Sequence, residues 1–261
     1  MANVYSLDGK AEGKINLPTV FKTEYRPDLI QRAVVSQQAN RRQTYGTDPY
    51  AGLRTSADYY ANRKHTYRIT INRGMSRLPR EKPGGGGLGK VRRVPHSVKG
   101  RSAHGPVNKD FSKKINKKEY EKALKSAIAA TAVKEIVEQR GHKLGKIAEL
   151  PIVIDDKLES LKKTKDVYDA IANLGLEDEL ERGAVKAITA GKGKARGRKY
   201  KKRKSILIVV NEDKGLKKAA ENIPGVDAAT VRELDVELLA PGTHAGRLTL
   251  WTKAAVENVA K

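Results

Sequence analysis

The chain has 261 residues, enough to bury a substantial core, and its 53 Lys and Arg against 30 Asp and Glu give a net charge of +23. It contains no cysteine, which excludes disulfide scaffolds, thiol catalysis and cysteine-based metal sites. The opening Met1-Ala2-Asn3-Val4-Tyr5 lacks an apolar signal-peptide region, and no run approaches the roughly 18 apolar residues of a membrane span, so a soluble intracellular protein without a membrane partner is expected.

In chain order, Asn3–Leu7 and Lys14–Leu17 are short β-prone pieces on either side of the turn signal Asp8-Gly9. Pro27-Asp28 opens a helix in which Leu29, Ile30, Ala33, Val34 and Gln37 recur at helical spacing, with Arg41-Arg42 in its last turn. From Tyr45 to Asp110 the periodicity disappears. These 66 residues hold ten glycines and five prolines, and 14 basic residues against four acids give them a net charge of +10. An insert of this length without secondary structure inside a compact domain is functional or disordered.

Order resumes at Asn116, an N-cap candidate with Glu119 at capping-box spacing. A helix face follows through Tyr120, Ala123, Leu124, Ala127, Ile128 and Thr131, continuing by way of Val133, Ile136 and Val137 towards Gly141. Leu150–Ile154 reads as a buried strand, Val167–Leu174 as a helix closed by Gly175, and Leu180–Ile188 as a further helix. Residues 192–204 then carry nine cations and no acid. Ser205–Val210 is apolar in the manner of a central parallel strand covered on both faces. Beyond it come a helix at Gly215–Asn222, a strand at Ala228–Leu234, a short helix at Val236–Ala240, a strand at Arg247–Trp251, and a helix at Ala255–Ala260 capped by Thr252.

The alternation after residue 150 predicts an α/β fold: a three-layer sandwich with a mainly parallel central sheet and a long extended non-globular internal loop. Residues 1–44 form the first part of the globular domain, 45–110 the extended basic loop, and 111–261 the remainder, with a second basic loop at 190–204. The two basic stretches leave the other residues at only +4. A nearly neutral body with two cationic appendages points to a polyanion.

Gly84-Gly85-Gly86-Gly87-Leu88-Gly89-Lys90 matches G-x-G-x-x-G and most of G-x-x-x-x-G-K. Those motifs hold a nucleotide only between a strand and a helix N-terminus. Here Leu78–Pro83 precedes, Lys90–Pro95 follows, and Val91 stands where a magnesium-binding hydroxyl belongs. Glycine instead lets the backbone press against a sugar–phosphate surface. The arm's cations are interleaved with Tyr45, Tyr50, Tyr59, Tyr60, Tyr67, His65, His96 and His104, a composition suited to splayed RNA bases; the alternative is a solvated charge run. Residues 193–204 read as an import-like signal, a linker or a phosphate-binding loop, and their place between ordered elements favours the last. No histidine has a partner at metal-ligand spacing. Asp155-Asp156 reads more simply as a turn than as a catalytic pair, and the acids at Glu177–Glu179 as a helix start. No catalytic residue, metal or cofactor is therefore expected.

Ser76-Arg77-Leu78-Pro79-Arg80-Glu81-Lys82 with its following glycines, Val98–Pro106, Asn116–Tyr120 with Ala123–Ala127, and Lys192–Arg198 together resemble the archaeal and eukaryotic branch of the universal large ribosomal subunit protein four family. Gly105 stands where that family usually has proline. The resemblance implies a structural, non-enzymatic constituent of the cytoplasmic large ribosomal subunit that binds 23S-type rRNA. Its loop would reach the wall of the peptide exit tunnel, beside protein twenty-two and the nascent chain. The rRNA-binding residues would be Arg54, Arg63, Lys64, Arg68, Arg73, Arg77, Arg80, Lys82, Lys90, Arg92, Arg93, Lys99, Arg101 and His104 in the arm. Those of the second loop would be Lys192, Lys194, Arg196, Arg198, Lys199, Lys201, Lys202, Arg203 and Lys204. The tip would comprise Arg77, Arg80, Glu81, Lys82, Gly84, Gly85, Gly86 and Gly87. A free nucleic-acid-binding regulator that represses its own message is the alternative. Glycine and proline discourage regular structure in the arm, so RNA is expected to satisfy its backbone donors.

Overall fold

A computed structural model of the chain describes residues 2–59, 74–81, 89–145 and 149–259. It separates into two units, residues 1–41 with 113–261 and residues 42–112.

The first unit is a mixed α/β body. Strands β1 (Ala2–Tyr5) and β2 (Ala11–Ile15) form an antiparallel hairpin. Helix α1 (Pro27–Arg41) follows, then α2 (Lys117–Thr131) and α3 (Lys134–Gln139). Strand β3 (Ile152–Ile154) leads to helices α4 (Thr164–Asn173) and α5 (Glu177–Ala184). The small strands β4 (Lys186–Ile188) and β5 (Tyr200–Lys202) precede the fully buried strand β6 (Leu207–Val210). The chain then continues through α6 (Leu216–Glu221), β7 (Asp227–Thr230), α7 (Val236–Leu239), β8 (Thr249–Thr252) and α8 (Lys253–Asn258).

The main sheet has the order β2-β1-β3-β8-β6-β7, and every pairing except β1–β2 is parallel. Successive residues of a strand point to opposite faces, and the sheet uses both. Val153, Leu207, Val209 and Trp251 pack with α1, α2, α7 and α8, whereas Ile152, Ile154, Ile208, Val210 and Leu250 pack with α4, α5 and α6. This two-sided burial explains why β6 carries no polar residue. At the centre of the first layer, Trp251 is fully buried; its ring meets Phe21 edge-on at 5.3 Å, and its Nε1 donates to Thr249 Oγ1 at 3.0 Å.

Several expected elements take a different form. The helix through Thr131 stops at Ala132, because Val133 turns to an extended backbone (φ −94°, ψ 112°) and α3 starts afresh. Asn116 is the N-cap residue of α2 but forms no side-chain cap bond, and Glu119 lies 3.4 Å from Arg32 instead. The predicted helix Leu180–Ile188 ends at Ala184. Its last three residues are β4, paired antiparallel with β5 in the register Lys186↔Lys202, Ala187↔Lys201, Ile188↔Tyr200. This partner lies a dozen residues away, so helical periodicity in a short apolar run could not reveal it. The strand expected at Ala228–Leu234 gives way after Thr230 to a turn of 3-10 helix at Val231–Glu233, closed by a Thr230–Glu233 capping box. Thr252 does cap the last helix, its side chain accepting from Ala255 N.

The body also clamps the two points where its chain departs and returns. Ser36 Oγ donates to Lys113 O at 2.6 Å, and Lys113 N donates to Asn40 Oδ1 at 3.0 Å.

Replacing Trp251 by alanine removes the largest side chain of this core and its edge-on contact with Phe21. Urea unfolding of Trp251→Ala is expected to show a loss of about 3–5 kcal/mol; an unchanged midpoint would mean that the two layers are held elsewhere.

Candidate nucleic-acid interface

The carboxyl ends of parallel strands are where open α/β sheets usually bind ligands. In this body the polar groups there serve the fold. Asp155 accepts from Asp156 N at the start of a short 3-10 helix, and Asp156 Oδ1 accepts from Ala254 N at 2.8 Å. Glu159, buried, accepts from Asn211 N at 2.8 Å and Thr252 Oγ1 at 3.1 Å. The Asp155-Asp156 pair is thus a turn. Among the described residues, no group of acids and histidines could hold a metal.

The cationic side chains lie elsewhere. Within the second unit, Tyr45 stacks on Phe111 at 5.2 Å and Arg42 lies 4.3 Å over the Phe111 ring. Next to this pair Thr47 N donates to Pro106 O at 2.7 Å. A Cβ on Gly105 would fall 1.7 Å from Thr47 Oγ1, so the close approach of the two segments requires glycine there. Farther along, Asp58 and Arg80 exchange both backbone hydrogen bonds (3.1 and 2.9 Å), and Arg80 bridges in turn to Val91. A tight turn at 95–100 follows, in which a Cβ on Gly100 would come within 2.2 Å of Pro95 O.

These bonds differ from the expectation that RNA must satisfy the arm's backbone donors. In its described part the chain satisfies many of them itself, through turns and isolated bridges that leave no periodic signal in the sequence.

The candidate residues fall into distinct groups. Arg54, Arg77, Lys90, Arg92, Arg93, Lys99, Arg101 and His104 are exposed. Arg54 pairs with Asp48 at 3.0 Å and Arg92 with Glu81 at 3.3 Å. Arg93 and Lys99 adopt left-handed backbone angles (φ 62° and 67°) that L-residues seldom occupy, a strain found most often where function demands it. Arg80 is different: it is buried, and its guanidinium donates to Gly89 O at 3.1 Å and Ser76 Oγ at 3.1 Å, fastening the arm's own backbone. Arg63, Lys64, Arg68, Arg73, Lys82, Gly84, Gly85, Gly86 and Gly87 lie outside the described residues.

The second basic stretch is the β4–β5 hairpin. Thr189 N donates to Lys199 O at 2.8 Å, and the tip makes a turn of 3-10 helix at Gly191–Arg196, ended by Gly197 at φ 81°. Lys192, Lys194, Arg196, Arg198, Lys199, Lys201, Lys202, Arg203 and Lys204 are all exposed, as are Ile188 and Tyr200. The hairpin thus holds its cations on a defined scaffold.

The hairpin's root is anchored in a buried polar cluster. Glu179 is inaccessible to solvent, and its carboxylate accepts from Arg182 Nη2 at 2.6 Å, Arg182 Nε at 2.7 Å, Lys143 N at 2.9 Å and Ser205 Oγ at 2.8 Å. His142 Nδ1 lies 2.7 Å from it. Burial pushes the Glu179 carboxyl up, but Arg182, His142 and the Lys143 amide more than offset this and bring it down to about 2. Burial also lowers the His142 imidazole below its ordinary value, in spite of Glu179. Arg182 additionally donates to Lys204 O at 3.0 Å, the last residue of the cationic run. Sequence periodicity marked Glu179 only as a helix-start acid; its burial depends on partners 26 to 37 positions away.

A nearly neutral α/β body, with the excess positive charge confined to the arm and the β4–β5 hairpin, has the charge distribution of a polyanion-binding protein. Residues 15–261 match the model of the Ribosomal protein L4/L1 family, and the chain belongs to that family. It is 50% identical over 260 residues to large ribosomal subunit protein uL4 of Methanococcoides burtonii, covering 99% of this chain and 97% of that protein. The proteins of the same name from Archaeoglobus fulgidus and Natronomonas pharaonis are 48% and 47% identical, with at least 96% of each chain covered. The family is one of ribosomal structural proteins, not of enzymes.

Both buried groups make stability depend on acid in the same direction. With its folded pKa below 6.5, His142 makes the folded state the poorer proton binder as pH falls below that value. Glu179, at about 2 in place of 4.5, does the same as pH falls from 4.5 towards 2. The melting temperature is therefore expected to fall in two stages on acidification. Glu179→Gln should remove the lower stage and, by leaving Arg182 buried without its counter-ion, cost about 3–5 kcal/mol at neutral pH. An acid profile unaltered by the substitution would overturn this assignment.

Proposed function

We propose that this protein is a structural constituent of the large ribosomal subunit, working in the cytoplasm and held there by 23S-type rRNA. The observation that carries the reading is the near-full-length likeness to proteins named as large ribosomal subunit protein uL4. The exposed cations of the arm and the β4–β5 hairpin support rRNA as the partner. In this reading the body provides the anchor, residues 45–110 are the arm, and residues 190–204 are the second RNA-binding loop.

The arm's cations at Arg54, Arg77, Lys90, Arg92, Arg93, Lys99 and Arg101 contact phosphates together with the outlying Arg63, Lys64, Arg68, Arg73 and Lys82. His104 lies at the arm's exit. The segment from Arg77 through the glycines Gly84–Gly87 forms the tip at the wall of the peptide exit tunnel, next to protein twenty-two and the nascent chain. Arg80 acts at this tip by holding its backbone together, a role supported by its bonds to Gly89 and Ser76.

Sedimentation of cell extract tests the assignment: the protein should travel with large-subunit particles, and a protein found mainly outside them would sink it. Phosphate contacts release counter-ions, so binding to large-subunit rRNA should weaken steeply with salt. The double variant Arg196→Gln/Arg198→Gln should bind more weakly and reduce the slope of log K against log salt by about 2. A slope equal to that of the unaltered protein would remove the hairpin from the interface.

A further inference from the structure

At the amino-terminal end of β6, opposite the capped edge of the sheet, the body contains a cavity of about 930 Å³. Arg140, Arg182, Arg203 and Lys204 line it with His142 and Tyr25, and among the described residues no acid does. Two of the cations are neutralised from behind: Arg182 by Glu179 at 2.6 Å and Lys204 by Asp227 at 2.8 Å.

Arg140 is not neutralised in this way. Its Nη2 donates to Pro241 O at 2.8 Å, while its Nη1 is enclosed and has no hydrogen-bond partner. Burial, then the neighbouring Arg247 and Arg182, bring its pKa down to about 10. The His142 side chain lies beside it, 1% exposed, its Nδ1 turned to Glu179. A buried donor left unbonded costs free energy that a ligand can recover. Outside the arm and the hairpin, this is where the described body is most in want of an anion.

We propose that this cavity seats a phosphate group of RNA, with Arg140 as its central donor and Arg182 and Arg203 alongside. The reading rests on the ribosomal assignment above. RNA is favoured over an acidic protein segment by continuity: Arg203 and Lys204 end the cationic run that starts on the hairpin, so a strand following the hairpin arrives at the cavity mouth. Tyr25, 40% exposed in the lining of the cavity, offers an aromatic ring on which a base can stack.

The test uses the full-length protein, followed by NMR at the Arg140 Nε–Hε and His142 ring signals so that phosphate bound elsewhere does not register. Inorganic phosphate and uridine monophosphate should move both signals saturably. Arg203→Gln, at an exposed position, should weaken the effect about tenfold, the value of one charge-assisted hydrogen bond. Arg140→Gln should abolish the His142 response, with thermal unfolding checking that the variant is folded. Signals that phosphate and uridine monophosphate leave unmoved would overturn the proposal. A stronger response to succinate than to phosphate would also overturn it, assigning the cavity to a carboxylate. Arg140→Gln, outside both the arm and the hairpin, should still sediment with large subunits, so failure of the cavity assignment is distinguishable from failure of the ribosomal one.

Discussion

Arg247 is an arginine with no access to solvent, and the amino-terminal end of the sheet is assembled around it. Its guanidinium donates to the carbonyls of Ser205, Ile206, Gly225 and Leu238 and, at 2.6 Å, to the Asp227 carboxylate. One side chain thereby joins the entry to β6, the entry to β7 and the end of α7. Burial alone would favour losing the charge, and it lowers the Arg247 pKa. Asp227 restores the balance, itself held below the usual carboxylate range by Arg247 and Lys204 in spite of its burial. Removing either member would strand the other in a medium of low polarity.

The Glu179 cluster adjoins this staple through Ser205, whose hydroxyl bonds to Glu179 and whose carbonyl accepts from Arg247. The hairpin springs from between them. A strongly cationic projection repels itself and would be expected to fray, but Glu179 at its root is buried and fully bonded, and Asp227 beside it pairs with Lys204 and Arg247. Local neutrality at the base is what permits unopposed charge at the tip. The same principle gives the cavity at Arg140 its character, because there the compensating acids run out.

The two cationic stretches look alike in composition but are built differently. In the hairpin, a short antiparallel pair and its 3-10 tip leave the basic residues from Lys192 to Lys202 exposed. In the arm, Arg80 turns inward and substitutes for a core, tying together backbone segments with almost no apolar side chains to bury. Composition could not separate Arg80 from Arg77, since both are arginines in a glycine- and proline-rich setting. What separates them is the Asp58–Arg80–Val91 bridging, which is non-local. The end of α5 illustrates the same point: Val185 to Ile188 suits a helix as well as a strand until Tyr200–Lys202 pairs with it.

The sequence by itself determined the class of fold, a strand within Ser205–Val210 buried on both faces, and the separation of charge into two stretches. Each of these follows from local properties: periodicity of burial, chain-bending residues and summed charge. Only the tertiary structure decided that Arg247 and Glu179 are buried, that Arg80 is a fastener, and that Arg140 and Arg182 face a shared cavity. An isolated charged residue reads as solvated, because burying a charge is costly. The cost is met here by partners up to 42 positions distant, which become neighbours only when the strands are assembled.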